Sequence, residues 1–268
     1  MTNNPVALIT GGSRGLGLAL ARALAERGWQ VVVDGRDTDR LAEAAGSGTR
    51  AAAPAGRLHA LAGDVTDAAH RQALVDAVRG LGRLDLVVAN ASDLGPSPLP
   101  TLAAAPLEAV RAVYETNVIA PLALAQLTLP LLRASGGMLL AISSDAAVEA
   151  YPHWGVYGPS KAALDHLAAI LDAEEPAVTV YAVDPGDMRT EMHQRAFPDE
   201  DISDRPPPEQ VVPAILRLIE TRPAGGRHRA ADLAADPPTA DPPADVPAAA
   251  ALAADVPPAD ALAAGTVR

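Results

Sequence analysis

Short, wholly apolar segments alternate with longer helical patterns along most of this 268-residue chain, and this alternation restricts the possible folds more than any other feature. Apolar segments such as 6–9 and 138–142 have no polar face. Strands of that kind are buried on both sides, as in a parallel sheet covered by helices. Because crossovers between parallel strands are right-handed, the sequence predicts an α/β fold: a single Rossmann-like, doubly wound parallel sheet with helices on both faces.

The predicted elements follow one another in strand–helix order. Six strands are predicted, at 6–9, 31–33, 58–61, 84–89, 138–142 and 178–183. The helical patterns between them cover 16–27, the region around 40, 68–79, 106–132 and 157–172.

Composition excludes several classes of function. The chain has 33 acidic and 21 basic residues, a net charge of −12, which disfavours nucleic acid and anionic membranes as partners. Without cysteine there is no disulfide framework and no thiol nucleophile, and the six histidines lack metal-binding spacing, so no metal site is expected. We find no signal segment and no apolar run near the ~20 residues of a membrane span. The sequence therefore predicts a cytoplasmic protein without a membrane partner.

Composition changes at residue 234. Residues 234–268 repeat Ala-Asp-Pro-Pro and Ala-Asp-Val-Pro, contain no aromatic residue, and have Arg268 as their only cation. Proline at this density interrupts helices before they can grow. We therefore expect a folded domain over 1–233 and a disordered Ala/Pro/Asp-rich tail over 234–268.

A glycine-rich turn, TGGSRGLG over residues 10–17, lies between the first predicted strand and the first helix. Such a turn lets the backbone approach a pyrophosphate, and the helix that follows supplies N–H groups and the positive end of its dipole. Glycines also form tight turns for purely steric reasons. The strand–turn–helix context at the start of the chain favours nucleotide binding.

The sequence Tyr157-Gly158-Pro159-Ser160-Lys161 places a phenol and an ammonium four residues apart, on one face of a predicted helix. Lys161 is the only lysine in the chain, and the other twenty cations are arginine. A tyrosine with a pKa near ~10 is a poor acid–base catalyst at neutral pH, and a nearby ammonium lowers that pKa. We predict that Tyr157 is a general acid/base assisted by Lys161; an ordinary surface pair is the alternative.

These motifs resemble those of the short-chain dehydrogenase/reductase family over about residues 5–233, with TGxxxGxG spacing in the turn and YxxxK in the helix. The resemblance implies two further catalytic residues. Ser144, at the end of the fifth strand, would orient the substrate carbonyl, and Ser143 is the less suitable neighbour because adjacent strand residues face opposite ways. Asn117, in the long fourth helix, would hold a proton-relay water, whereas simple solvent exposure is the default explanation for a helical asparagine.

The resemblance also implies a nicotinamide cofactor. The predicted cofactor-binding residues are Gly11, Ser13, Arg14, Gly15, Leu16, Gly17, Arg36, Asp64, Val65, Asn90, Tyr157, Lys161, Pro185, Gly186 and Thr190. The segment Asn90-Ala91-Ser92 matches the family's Asn-Asn-Ala-Gly only in part.

The residues after the second strand bear on the choice between NADP and NAD. The position of the NAD-selecting acid falls on Gly35, and Arg36 follows it. Together with Arg14, this guanidinium suits a 2′-phosphate, so NADP is predicted. If the alignment with the family is shifted by one residue, the NAD-selecting position falls on Asp34, and NAD is then the alternative cofactor.

The sequence thus predicts an NADP-dependent oxidoreductase that acts on a small ketone or secondary alcohol. A non-catalytic NADP-binding sensor or scaffold, and a lyase or epimerase using the same residues, are the alternatives. A homodimer or homotetramer is expected from the apolar faces of the long helices. The segment 188–208 is expected to cover the substrate as a mobile lid. Five further residues could line the substrate pocket or could equally be ordinary loop residues. They are His153, Trp154, Asp93, Leu94 and Asp145.

Overall fold

The computed structural model of the protein describes residues 4–44 and 57–234. The prediction of a disordered tail concerns residues that lie, from 235 onward, outside the described part of the chain.

Seven parallel strands form one sheet in the order β3-β2-β1-β4-β5-β6-β7. They are β1 (Val6–Ile9), β2 (Gln30–Gly35), β3 (Leu58–Ala62), β4 (Leu86–Ala89), β5 (Met138–Ile142), β6 (Thr179–Asp184) and β7 (Gly226–Arg229). The predicted doubly wound parallel sheet is confirmed, and all six predicted strands are present. The seventh strand is not predicted by the sequence pattern, because Gly-Arg-His-Arg has no apolar run.

Helices cover both faces of the sheet. They are α1 (Gly15–Glu26), α2 (Thr38–Ala44), α3 (Ala68–Leu81), α4 (Leu107–Tyr114), α5 (Ala120–Ser135), α6 (Tyr157–Glu174), α7 (Glu191–Ala196), α8 (Val212–Thr221) and α9 (Ala230–Ala234). Between α4 and α5 the chain forms a π-helical turn, Glu115–Ile119, where the apolar pattern predicts a regular helix.

The core consists of two apolar layers, one on each face of the sheet, because successive strand residues point to opposite sides. Leu140 packs with α1 and α8 on one face. Its neighbour Leu139 packs with α3, α5 and α6 on the other. Both are nearly inaccessible to solvent, which explains why the strands appear as continuous apolar segments.

The direction of chain winding reverses at the centre of the sheet. From β1 the chain proceeds outward to β2 and β3, and it then returns to β4 on the other side of β1. In open parallel sheets, ligands bind in the crevice outside the carboxyl ends of the strands at such a point. The topology therefore places the candidate site at the ends of β1 and β4.

One helical segment is longer and more apolar than the sequence patterns suggested. Leu107–Ser135 is helical over 29 residues with a mean hydropathy of 1.4 in its most apolar window, enough by length and composition to cross a membrane. This corrects the expectation that no segment reaches that length. It is weak evidence for a membrane, since core helices of soluble proteins pass the same test, and here Leu124, Leu129 and Leu132 pack against the sheet.

Candidate active site

A cleft of about 1000 Å³ lies at the carboxyl ends of the strands. It brings together nearly all of the residues predicted from the sequence: the glycine turn, Arg36, Asp64, Val65, Asn90, Ser144, Tyr157, Lys161, Pro185, Gly186 and Thr190. Gly17 and Asn117 do not line the cleft. They lie behind its wall and support residues that do.

The glycine turn packs tightly against the end of β4. A Cβ atom at Gly11 would lie 2.9 Å from Ala91 Cα, and one at Gly17 would lie 2.5 Å from the side-chain nitrogen of Asn90. The Asn90 amide in turn donates to the carbonyl oxygens of Thr10 (2.8 Å) and Gly11 (3.1 Å). Asn90 therefore holds the turn in place, and side chains larger than hydrogen at Gly11 or Gly17 would displace it.

The start of α1 suits a bound phosphate. Gly15, at φ +56°, begins the helix, and no side chain caps its N-terminal N–H groups. A Cβ atom on Gly15 would project to within 3.7 Å of the Thr190 methyl carbon on the opposite wall. The residues present thus fit the pyrophosphate of a dinucleotide, which needs free N–H donors and close approach to the backbone.

Asp34, near the end of β2, lies at the cleft wall but is almost wholly buried. Its carboxylate accepts from the Gly11 N–H (2.6 Å) and lies 3.2 Å from the His70 ring nitrogen, and the residue is 2% exposed. Both oxygens are therefore engaged in holding the turn against α3. The residues that follow it in the cleft lining are Gly35, Arg36 and Asp37.

Three arginines surround the region where the glycine turn meets β2. Arg14, Arg36 and Arg40 all line the cleft. Arg14 and Arg40 both pair with Glu191 at the start of α7, the latter at 2.7 Å. Nearby, burial alone would raise the pKa of Asp64, but hydrogen bonds from Thr66, with the charges of Arg36 and His70, hold that pKa below its ordinary value.

Tyr157 and Lys161 occupy the first two turns of α6, and both are buried. The lysine Nζ donates to the Ile142 carbonyl oxygen at 2.8 Å and lies 5.5 Å from the centre of the tyrosine ring. Burial lowers the pKa of Lys161 to about 8, with Asp165 acting in the opposite direction. The predicted convergence of phenol and amine at one site is thus present in the structure.

The pKa of Tyr157 shifts in the direction opposite to the one predicted from the sequence. Burial raises the pKa of the Tyr157 phenol well above its ordinary value, and the hydroxyls of Ser92 and Ser144 act in the opposite direction. Removal of the phenolate from water outweighs these donors, because desolvation disfavours the charged form. Tyr157 therefore holds its proton at neutral pH.

Ser144 begins a short 3₁₀ turn immediately after β5. Its hydroxyl donates to an Asp145 carboxylate oxygen (3.0 Å) and accepts from the Ala146 N–H (3.2 Å). Ser143 is 2% exposed, whereas Ser144 is only partly buried at the cleft wall. Both serines line the cleft, so the preference for Ser144 over Ser143 stays a prediction.

Asn117 is inaccessible to solvent, so the exposed-helix alternative is wrong. It lies in the π-helical turn, where its Oδ1 accepts from the Asp93 N–H (2.7 Å) and from the Ser92 hydroxyl (3.2 Å). Its Nδ2 donates to the Asp93 carbonyl (2.9 Å) and to the Ser160 hydroxyl (3.0 Å). The side chain therefore joins the segment after β4 to the helix that carries Tyr157.

Sequence reasoning missed Arg227 on β7. Its guanidinium donates to Asp165 on α6 (3.0 Å), to Asp184 at the end of β6 (3.2 Å) and to the carbonyl oxygen of Ser144 (3.0 Å). One side chain thus connects three of the segments that form the site. The isolated Gly-Arg-His-Arg strand offered no motif by which it could have been found.

The predictions for the substrate pocket and for the segment 188–208 have mixed outcomes. Trp154, Asp93, Leu94 and Asp145 line the cleft, whereas His153 is exposed in a loop outside the lining. Much of 188–208, including α7, covers the cleft, and Thr190 caps α7 by accepting from the His193 N–H (3.2 Å). Its mobility stays a prediction. Within residues 4–44 and 57–234, no group of three or more His, Asp or Glu is placed to hold a metal.

Comparison with known proteins gives a consistent result. The family model for short chain dehydrogenase matches residues 5–201. An uncharacterised oxidoreductase of Saccharomyces cerevisiae is 34% identical over 193 residues, which are 70% of this chain and 72% of that protein. A benzil reductase of the same yeast, which forms (S)-benzoin, is 34% identical over 218 residues, or 79% of this chain and 80% of that one.

Solved structures with this fold include a short chain dehydrogenase from Pseudomonas syringae. It has a TM-score of 0.77 and 34% identity, and the match covers 84% of this chain and 94% of that one. A short chain dehydrogenase from Shigella flexneri in complex with NADP has a TM-score of 0.77 and 29% identity, with 85% and 98% covered.

Proposed function

Since this chain belongs to the short-chain dehydrogenase family, we propose that it is an NADPH-dependent oxidoreductase that interconverts a ketone and a secondary alcohol. The observation that carries the proposal is the cleft itself. A phosphate-binding turn lies at one end, and Ser144, Tyr157 and Lys161 converge at the other. This is the arrangement needed to hold a dinucleotide and a carbonyl compound side by side.

A nicotinamide cofactor bound in this cleft would supply or accept the hydride, and the protein would supply the proton. Because burial keeps Tyr157 protonated, it can donate to the carbonyl oxygen during reduction. The Ser144 hydroxyl, at the same wall, orients that oxygen and stabilises the charge that develops on it. Lys161 is placed next to the phenol, and Asn117 fixes the segments on either side.

Two observations support NADPH over NADH. Arg36 lines the cleft beside Gly35, with Arg14 and Arg40 nearby in ion pairs with Glu191, and a guanidinium group matches a phosphate in charge and in geometry. Asp34, the residue that would have favoured NAD, is committed to the Gly11 N–H and to His70. The Shigella flexneri relative solved with NADP agrees with this choice.

The experiment is an assay of NADPH consumption against a panel of ketones with wild type and Tyr157→Phe. We expect the variant to lose on the order of 10²–10⁴-fold in kcat, because the proton donor is missing, while it retains NADPH affinity by direct titration. Tight NADPH binding with no turnover of any carbonyl would favour the sensor or scaffold. Substrate conversion without net NADPH consumption would favour a lyase or epimerase.

The cofactor choice is tested separately with Arg36→Ala. Loss of a charge-assisted contact to the 2′-phosphate should weaken NADPH binding roughly tenfold and leave NADH binding unchanged. An unchanged NADPH affinity would overturn the NADP assignment.

The same proposal includes self-association. Leu107 of α4, Ile119 in the π-helical turn and Ile170 of α6 are large apolar side chains left exposed. We expect a homodimer or homotetramer, to be checked by light scattering, and a mass equal to that of one chain would contradict it.

A further inference from the structure

Aromatic residues are scarce in this protein and concentrated at the cleft. The chain has two Trp, four Tyr and one Phe. Four of these seven, Tyr151, Trp154, Tyr157 and Phe197, line the cleft next to the catalytic groups. The cleft therefore holds most of the aromatic side chains of this protein.

The rings form a continuous surface that begins at the catalytic phenol. The Trp154 ring centre lies 5.7 Å from Tyr157 and 5.9 Å from Phe197, with edge-on or tilted planes. Leu94 and Ala146 are buried in the same apolar cluster. A group attached to a carbonyl carbon at Tyr157 and directed along this surface would contact Trp154 first and Phe197 next.

Charge limits what that group can be. Asp145 follows Ser144 directly and holds its hydroxyl and that of Tyr151, so a carboxylate lies at the carbonyl end of the surface. Arg195, which also lines the cleft, donates to the Gly95 carbonyl (2.9 Å) and lies 4.0 Å from Asp93. An anionic substrate would meet acidic groups here, whereas a neutral aromatic one would meet rings and alkyl groups.

We propose that the substrate is an uncharged aryl ketone, or the matching benzylic alcohol in the reverse direction, whose ring is held by Trp154 and Phe197. This inference rests on the proposed function. In reduction, the C=O π bond breaks, the carbonyl carbon gains the hydride of NADPH, and the oxygen gains the Tyr157 proton. The products are the secondary alcohol and NADP⁺, and the phenol recovers its proton from water. Trp154 and Phe197 are the specificity-determining residues.

The test compares acetophenone with cyclohexyl methyl ketone, which have the same carbon skeleton and differ in aromaticity. Edge-to-face ring contacts should give the wild type roughly tenfold higher kcat/KM for acetophenone. In Trp154→Leu, which keeps an apolar side chain, that preference should fall to about twofold or less. Trp29→Phe removes the other tryptophan, outside the cleft, and should keep the wild-type preference. The anionic aryl ketone benzoylformate should be a poorer substrate than acetophenone.

A binding measurement covers the case in which Trp154→Leu does not fold. In Trp29→Phe, Trp154 is the only tryptophan, so its fluorescence in the complex with NADP⁺ should be quenched saturably by acetophenone. In Trp154→Phe, where Trp29 remains, no saturable change is expected. Equal quenching of the two variants would contradict the assignment.

The outcomes separate the two proposals. Equal kcat/KM for the two ketones, a preference unaltered in Trp154→Leu, or faster turnover of benzoylformate would overturn the substrate class and leave the reductase proposal intact. Failure of every carbonyl to consume NADPH would overturn the reductase proposal, and this inference with it.

Discussion

Lys161 shows how a single residue can be identified from composition and still hold unexpected chemistry. As the only lysine among 21 cations, it is the most specific pointer to the site in the sequence. Its position beside Tyr157 follows from helical spacing alone. The effect of burial on the pKa values of the two residues does not follow from that spacing. Desolvation depends on what β5 and the neighbouring loops place around the pair, and it moves both pKa values toward the neutral forms.

The lowered pKa of Lys161 has a consequence for stability. The amine titrates near 8 in the folded protein, against 10.5 for an ordinary lysine, so between these values the unfolded chain binds more protons. Stability therefore rises with pH in this window and is reduced below it. Relative to Lys161→Met, the wild type should gain about 2 kcal/mol in free energy of unfolding from about pH 7 to about pH 9.5.

Urea denaturation of both proteins at the two pH values measures this difference. Lys161→Met is the control for the wild type because it retains an apolar chain and lacks the amine. If the wild type gains no stability relative to Lys161→Met as the pH rises, or loses some, the fold does not disfavour the charged amine.

At the scale of elements, the π-helical turn between α4 and α5 is a local departure that the sequence pattern did not reveal. The apolar spacing over 106–132 fits one regular helix, and one extra residue per turn changes that spacing too little to be seen. The turn presents Asn117 to the segment after β4 and to Ser160 on α6. Periodicity predicts a helix, whereas its irregularities depend on tertiary hydrogen bonds.

Replacing Asn117 with alanine should leave the Asp93 N–H and the Ser160 hydroxyl without their buried partner. We expect a loss of roughly 2–4 kcal/mol in the free energy of unfolding, because unsatisfied buried polar groups are costly. Thr128→Val is the matched control: this residue is also inaccessible, but its hydroxyl bonds only within its own helix, to Leu124 (2.8 Å) and Ala125. Denaturation midpoints compare the two, and equal losses would refute a connecting role for Asn117.

The seventh strand contributes through Arg227, which pairs with one buried and one partly buried carboxylate. Asp165 and Asp184 are 14% and 4% exposed at their side chains. Removing their shared guanidinium in Arg227→Met should lower the free energy of unfolding by about 2–3 kcal/mol. This loss is smaller than for a fully buried ion pair, because the Arg227 side chain is 26% exposed.

Arg229, on the same strand, provides the comparison. It lies 3.9 Å from Asp184 but is 62% exposed, so Arg229→Met should change stability by only ~0.5 kcal/mol. If calorimetry gives the two variants the same unfolding temperature, the Arg227 bridge contributes no more than a surface pair.

For the whole molecule, the sequence predicted the architecture and the position of the site well because both follow from strand order. A βα alternation with right-handed crossovers leads to one sheet, and its reversal point fixes where the glycine turn, Ser144 and Thr190 must meet. Contacts made across the cleft, such as Glu191 with Arg14 and Arg40, join segments far apart in the chain. No local pattern encodes them, so only the folded structure could supply them.

The C-terminal part of the chain differs from the rest in composition and lies beyond the family match. The family match ends at residue 201, and α9, the last described element, ends at Ala234. Residues 235–268 carry five Asp and Arg268, and so −4 of the net charge of −12. We expect a chain that ends at Ala234 to keep the wild-type unfolding temperature, NADPH affinity and kcat, because every group assigned to the site lies before that residue. Calorimetry and NADPH titration of the shortened chain check this, with a one-residue truncation of Arg268 as the control. A loss of cofactor affinity in the shortened chain alone would assign the acidic segment a part in the site.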